Sequence, residues 1–171
     1  MTNKKMISDW FHLYCDDLKH YLIYRMGNAD VEDFVQETFI RAIKGLDSFQ
    51  SRAHPKTWLF SIARNVAIDE LRKRKRAKWL HLVADHSNHE PISMNTPESL
   101  LGLNGESSVI FETIKAMKVS YRDVVILRGV KELSVAETAE VLNWSESKVR
   151  STYHRARTLL QQKLKEAAHY E

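Results

Sequence analysis

Residues 55–78 constrain this chain more than any other stretch. They combine a one-sided helical pattern with an unbroken cationic end. Proline can open a helix because the first N–H has no partner there, and Pro55 stands at the start. Leu59, Ile62, Ala63, Val66 and Ala67 then recur at helical spacing, as a buried stripe requires. Ser61, Asn65, Asp69 and Arg72 line much of the opposite side. Arg72, Lys73, Arg74, Lys75 and Arg76 follow without a break, with Lys78 just beyond. A polar stripe able to reach base edges, continuous with a tail able to grip phosphates, predicts a helix that lies against nucleic acid.

The net charge of +4 hides a partition along the 171 residues. Residues 1–46 carry a net −1, 47–79 a net +6, 80–106 a net −4 and 107–171 a net +3. Two basic blocks on either side of an acidic spacer predict two contacts with one polyanion. Cys15 is the only cysteine, which excludes an intrachain disulfide or a cysteine zinc site, and it reads as a small buried or half-buried side chain. The spacing of His81, His86 and His89 fits no common metal motif, so no metal and no cofactor are expected. No apolar run approaches a membrane span, and the N-terminus lacks a hydrophobic signal region. A soluble, cytoplasmic protein is expected.

The periodicity is helical throughout. A first helix is predicted over about 7–25, carried by Trp10, Phe11, Tyr14, Leu18, Tyr21 and Leu22. Gly27 breaks it and Asn28 is placed to cap a second helix, about 29–46, with Asp30, Glu32 and Asp33 at its positive end. From about Leu82 to Ser108 the pattern lapses among Pro91, Pro97, Gly102 and Gly105, which reads as a linker, although Leu100, Leu101 and Leu103 are able to dock. Beyond it, Phe111 to Met117 predicts a helix. Ser120 to Asp123 reads as the cap pattern of another running to about Val130.

Ser134 to Lys165 has the layout of a helix-turn-helix. A capping box at Ser134 and Glu137 opens a short helix with Ala136, Ala139, Val141 and Leu142. Asn143-Trp144 turns, and Ser145 caps a long helix whose inner side holds Val149, Tyr153, Ala156 and Leu160. Ser147, Lys148, Arg150, Ser151, His154 and Arg155 lie near its N-terminal half, where a recognition helix meets the major groove. Arginine there binds guanine bidentately, and Ser or His bonds bases or phosphates. An amphipathic hairpin with a charged outer face gives the same pattern. On the second helix Asp33, Gln36, Glu37 and Arg41 form a polar ridge, which pattern alone leaves as a solvated face.

Taken in order, the motifs are Ala29 to Ala42, Thr57-Trp-Leu-Phe-Ser-Ile-Ala-Arg to Asp69, Leu133 to Leu142 and Ser147 to Arg157. With these, the chain resembles an extracytoplasmic-function sigma factor, the smallest type in the sigma-70 family of bacterial RNA polymerase specificity subunits. The resemblance covers about Phe11 to Lys165. It implies an all-α fold of two small helical domains joined by a flexible linker: region 2 at 1–79, an acidic linker at 80–106 and region 4 at 107–171. It implies that Asp33, Gln36, Glu37 and Arg41 dock on the beta-prime clamp helices of core polymerase, with region 4 against the beta flap.

The loop at about 48–54 and the following helix would hold an extruded base of the minus-ten promoter element, through Phe49, Arg52, Lys56, Ser61, Arg64, Asn65 and Arg72. Arg72 to Arg76 and Lys78 would bind phosphates, and the six residues Ser147 to Arg155 named above the minus-thirty-five element. The linker's negative charge suits passage through the RNA-exit channel. An anti-sigma factor is the implied regulator, a stress or cell-envelope regulon the implied target, and a free monomer the implied state. Met117 to Ser120 and His54-Pro55 depart from the usual family pattern, which bears on the bases preferred. No triad or metal spacing points to an enzyme or a small-molecule substrate. The competing reading is a stand-alone helix-turn-helix regulator, which needs a dimer interface and leaves the Asp33 to Arg41 ridge without a role.

Overall fold

The computed structural model describes residues 2–27, 30–84 and 97–170, and among these residues every regular element is helical. Helix α1 (Asn3–Met26) stops at Gly27, whose φ of 64° glycine adopts without a Cβ clash and whose N–H donates to the Ile23 carbonyl. Helix α2 (Glu32–Gly45) has Glu32 and Asp33 in its first turn, but its N-cap is Val31 rather than the expected Asn28. Asn28 itself lies outside the described residues. A 3-10 turn at Leu46–Ser48 leads to the loop before α3 (Pro55–Ala84).

Pro55 does open α3, but the helix passes the expected boundary at residue 79. Trp79, Leu80, His81 and Leu82 contain no breaker, and extending a nucleated helix adds one hydrogen bond per residue fixed. The single turn α4 (Pro97–Leu100) falls within the expected linker. Helix α5 (Gly105–Ala116) begins well before Phe111, and Leu101 and Leu103 do pack on the core. Helix α6 (Val119–Val125) continues as a π-turn, Ile126–Val130, to the expected end. The cap expected at Ser120 does not form: Lys118 is the N-cap, without a side-chain bond, and Asp123 is buried. Of the expected histidines, His81 is exposed, while His86 and His89 lie outside the described residues.

Helices α7 (Val135–Leu142) and α8 (Glu146–Ala168) follow the local chemistry read from sequence. The Glu137 N–H donates to Ser134 Oγ at 3.1 Å, and the Ser134 N–H donates to Glu137 Oε2 at 2.7 Å, closing the capping box. Asn143 takes a left-handed φ of 54°, and Ser145 Oγ accepts from the Lys148 N–H at 3.1 Å.

Leu18, Tyr21, Leu22, Leu59, Phe60 and Ala63 are fully buried between α1, α2 and α3. Phe111, Ile114, Val124, Leu127, Val149 and Ala156 centre the C-terminal half, and the two sets form one continuous apolar cluster. That continuity explains Phe60, which the one-sided stripe omits. Helix α3 packs on α1 and α2 and also on α7, so more than one of its sides is covered. The Phe60 ring meets Tyr21 edge-on at 5.2 Å. On α7, Ala139, Val141 and Leu142 are buried together with Thr138, while Ala136 is exposed. Phe11 is 40% exposed but stacks on Phe39 at 5.0 Å, and Cys15 is half-buried as expected.

Candidate nucleic-acid and protein interfaces

Helix α2 sets its polar ridge along an open face. Asp33 and Gln36 are exposed, while Glu37 and Arg41 are partly covered because they bind each other. Arg41 Nε donates to Glu37 Oε1 at 2.8 Å and Arg41 Nη1 to Asp69 Oδ2 at 2.7 Å. These two carboxylates stabilise the guanidinium and push its pKa above the ordinary arginine value. Asp69 thus joins the ridge from α3, a residue the sequence places only in a polar stripe. Ile40 and Ile43 stand exposed beside it. The ridge thus carries linked, solvent-facing charges with two exposed aliphatic side chains beside it.

The expected minus-ten residues divide into free and engaged groups. Arg52, Asn65 and Arg72 are exposed. Phe49 is packed rather than free, 4.8 Å from the Trp58 ring and 5.3 Å from Trp10. Beside it, Met6, Trp10, Leu13, Phe49 and Ala53 line a cavity of about 440 Å³. Ser51 bends the loop over this cavity with a φ of 53°, and His54 Nδ1 accepts from the Lys56 N–H at 3.2 Å. Ser61 Oγ donates to the Thr57 carbonyl at 3.1 Å. Lys56 Nζ lies 3.0 Å from Asp17, and Arg64 Nε lies 3.5 Å from Asp123. Those two cations are occupied from within the chain.

The basic tail of α3 is exposed from Arg72 through Lys78. Arg74 is the exception to its freedom, since its Nε bonds Glu70 Oε1 at 3.0 Å and its guanidinium lies 5.8 Å from the Phe34 ring. On α8, Ser147, Lys148, Arg150, Ser151, His154 and Arg155 are all exposed on one open surface. Lys148 Nζ sits 4.3 Å over Trp144, and Arg150 bonds Glu146 at 3.0 Å, an exposed i,i+4 pair worth little and easily exchanged for another anion. Val149, Thr152 and Ala156 hold the other side of α8 in the core. The chain therefore presents two separate faces suited to a polyanion, one on α3 and one on α8.

Sequence reading missed a third cluster, where the halves meet. Asp123 is 1% exposed, with Arg25 Nε at 2.5 Å and Arg64 beside it. Arg122 Nη1 donates to the Arg25 carbonyl at 3.1 Å. Burial pushes the Asp123 carboxyl above the ordinary aspartate value, against the pull of Arg25 and Arg64. Nearby, Lys131 Nζ donates to Asp17 Oδ1 at 3.0 Å. Burial would raise Asp17, but Lys56 and Lys131 outweigh it and hold the carboxyl below its usual range. One sequence signal was available: Asp123 stands four residues before Leu127, and Arg25 four after Tyr21, both charges in apolar register. Among the described residues, no three His, Cys, Asp or Glu side chains come together as metal ligands would, and no helix is long and apolar enough to cross a membrane.

Two family models match in order: sigma-70 region 2 over residues 10–77 and sigma-70 region 4 over residues 108–160. The chain is 32% identical over 168 residues to RNA polymerase sigma factor YlaC of Bacillus subtilis, covering 96% of this chain and 95% of that one. It is 34% identical to the extracytoplasmic-function sigma factor SigW of the same organism, covering 93% of this chain and 89% of the relative. The fold is similar to that of sigma factor RpoE of Bartonella quintana, solved with the anti-sigma factor NepR. The TM-score is 0.76 at 24% identity, over 94% of this chain and 98% of that one. Matched by both region models and by relatives along nearly its whole length, the chain belongs to the sigma-70 family of RNA polymerase sigma factors, in its extracytoplasmic-function group.

Proposed function

We propose that this sigma factor divides its work between a region 2 at 1–79 and a region 4 at 107–171, joined by a linker at 80–106. The α2 ridge of Asp33, Gln36, Glu37 and Arg41 docks on the beta-prime clamp helices, and region 4 meets the beta flap. The loop at 48–54 and α3 hold the minus-ten element, with the cavity beside Phe49 taking an extruded base. Extrusion costs a few kcal/mol, which a pocket and phosphate contacts must offset. The exposed face of α8 reads the minus-thirty-five element. The contribution is specificity, without covalent chemistry, in the cytoplasm where core polymerase works. Because the fold relative is solved with an anti-sigma factor, we extend anti-sigma control to this chain. A stress or cell-envelope regulon is the target this implies.

The observation that supports this reading is that α3 and α8 each expose a basic face, one in each half of the chain. A stand-alone helix-turn-helix regulator does not require the first of them. Replacing Arg150 and Arg155 by Ala is expected to impair minus-thirty-five recognition, each bidentate contact being worth about 1–3 kcal/mol. Replacing Asn65 by Ala is expected to impair the minus-ten element instead. Run-off transcription on promoters altered in one element at a time reads the difference, and identical defects from both sets would contradict the division.

The α3 tail gives a separate expectation. Arg72, Lys73 and Lys75 are exposed, whereas Arg74 is tied to Glu70. Changing those three to Ala should flatten the log–log salt dependence of holoenzyme–promoter binding by about 0.9 per lost contact on duplex DNA, about 2.7 in all, with melting temperature unchanged. An unchanged slope in the stable variant would mean that the run is only solvated.

A further inference from the structure

We propose that Arg128 is a positioning residue for the recognition helix: through Tyr153 it holds α8 at the rotation that its DNA-facing side chains need. This role rests on the reading of α8 as the contact to the minus-thirty-five element. Arg128 stands in the π-turn Ile126–Val130, a form of backbone that is rare and recurs at functional sites. Its Nη1 donates to the Leu133 carbonyl at 2.5 Å, immediately before Ser134, the N-cap of α7. Its guanidinium carbon lies 5.3 Å from the centre of the Tyr153 ring on α8. One side chain therefore ties the entry of the first helix of the helix-turn-helix to the flank of the second.

The connection that Arg128 closes turns back tightly on itself. The Lys131 N–H donates to the Ile126 carbonyl at 2.8 Å, and the Leu133 N–H donates to the Leu127 carbonyl at 2.9 Å. Between them Glu132 takes a left-handed φ of 56°, which a residue with a Cβ keeps only where its surroundings hold it. The Arg128 bond to the Leu133 carbonyl is part of that hold. A Cβ on Gly129 would lie 3.6 Å from the Tyr153 hydroxyl oxygen, so the ring runs along the π-turn as well as meeting the guanidinium.

The place of Tyr153 on α8 makes this contact bear on DNA reading. By helical rotation it stands between the buried Val149 and Ala156 and the exposed Arg150. Apolar burial is not directional, so that stripe fixes which side of α8 packs but sets its rotation only coarsely. A bidentate contact to a base needs placement to within about 0.5 Å and about 10–20°. Arginine suits the task because its planar fork can donate to a carbonyl while the cation lies against an aromatic ring. A lysine ammonium keeps the charge and loses the fork.

Run-off transcription with reconstituted holoenzyme tests this role. The templates are a promoter that the wild-type holoenzyme uses and the same promoter with its minus-thirty-five element scrambled, and the readout is the ratio of the two yields. Arg128→Lys should lower that ratio about three- to tenfold, part of what one bidentate contact is worth, and Tyr153→Leu should do the same. Yield from the scrambled promoter should stay at the wild-type level. Tyr153→Phe keeps a ring for the cation and should keep the ratio. The chain carrying both Arg128→Lys and Tyr153→Leu should be no worse than either alone, since each change already breaks the one contact; the product of two separate losses would overturn the role. A variant that is only destabilised would melt lower and lose yield on both templates alike. That outcome, or an unchanged ratio in the folded variants, overturns the role as well. If Arg128→Lys does not fold, the Tyr153 pair decides: a ratio lost with Leu and kept with Phe supports the role, and equal ratios overturn it. Equal wild-type yields on the two templates would instead remove the assignment of α8, and this role with it.

Discussion

Changing Gln36 to Ala together with Glu37 to Lys should weaken core polymerase binding by about 2–4 kcal/mol, roughly 30- to 1000-fold in Kd. Both residues lie on the open face of α2, so the loss is one of docking and not of folding. Glu37→Lys also turns a bonded neighbour of Arg41 into a like charge. Arg41 keeps its bond to Asp69 at 2.7 Å, and an exposed i,i+4 repulsion costs only a few tenths of a kcal/mol. Circular dichroism and melting temperature should therefore match the wild type. Titration of labelled protein with core polymerase gives the affinity, and full-strength binding by the folded double variant would remove this ridge from the polymerase contact.

Phe60→Ala should be the most damaging single truncation for stability. Its ring is fully buried, edge-on to Tyr21, in a helix packed on both α1 and α7. Deleting such a ring forfeits its transfer energy and leaves a cavity, together about 3–5 kcal/mol. At about 2–4 °C per kcal/mol for a chain of this size, melting should fall by on the order of 10 °C. Thermal unfolding followed at 222 nm measures it. A drop of less than about 3 °C would mean that Phe60 does not anchor the shared core.

The contrast between Phe60 and the caps of α7 and α8 shows where sequence reading succeeds. Ser134, Glu137 and Ser145 bond backbone groups three residues away, so their roles are written in their spacing. Pro55 and Gly27 act through their own backbone and are equally legible. Helix ends without such bonds were not: α3 runs on through Trp79 to Leu82, which hold no breaker, and α5 starts at Gly105 behind Asn104, whose side chain makes no cap bond.

The exposed faces of α2 and α8 were readable as polar ridges at three- and four-residue steps. Their partners within the chain were not. Arg41 finds Asp69, Lys56 finds Asp17 and Arg64 finds Asp123, pairs that no local spacing encodes. Asp123 is the clearest case. Its neighbours Ser120, Tyr121 and Arg122 make it look like part of a cap, and only the approach of α1, 97 positions from Arg122 in sequence, turns it into the centre of a buried cluster.

The central claim, that this chain confers promoter specificity on core polymerase, is tested most directly by reconstitution. Purified protein is added to core RNA polymerase that lacks any sigma factor, with a genomic DNA fragment library as template, and the 5′ ends of run-off transcripts are mapped. The account predicts defined start sites that appear only with the protein and share two upstream elements about 25 base pairs apart, centre to centre. Those starts should vanish with the Gln36→Ala, Glu37→Lys variant. Transcripts that begin at the same places without the protein, or binding to DNA with no initiation, would contradict it.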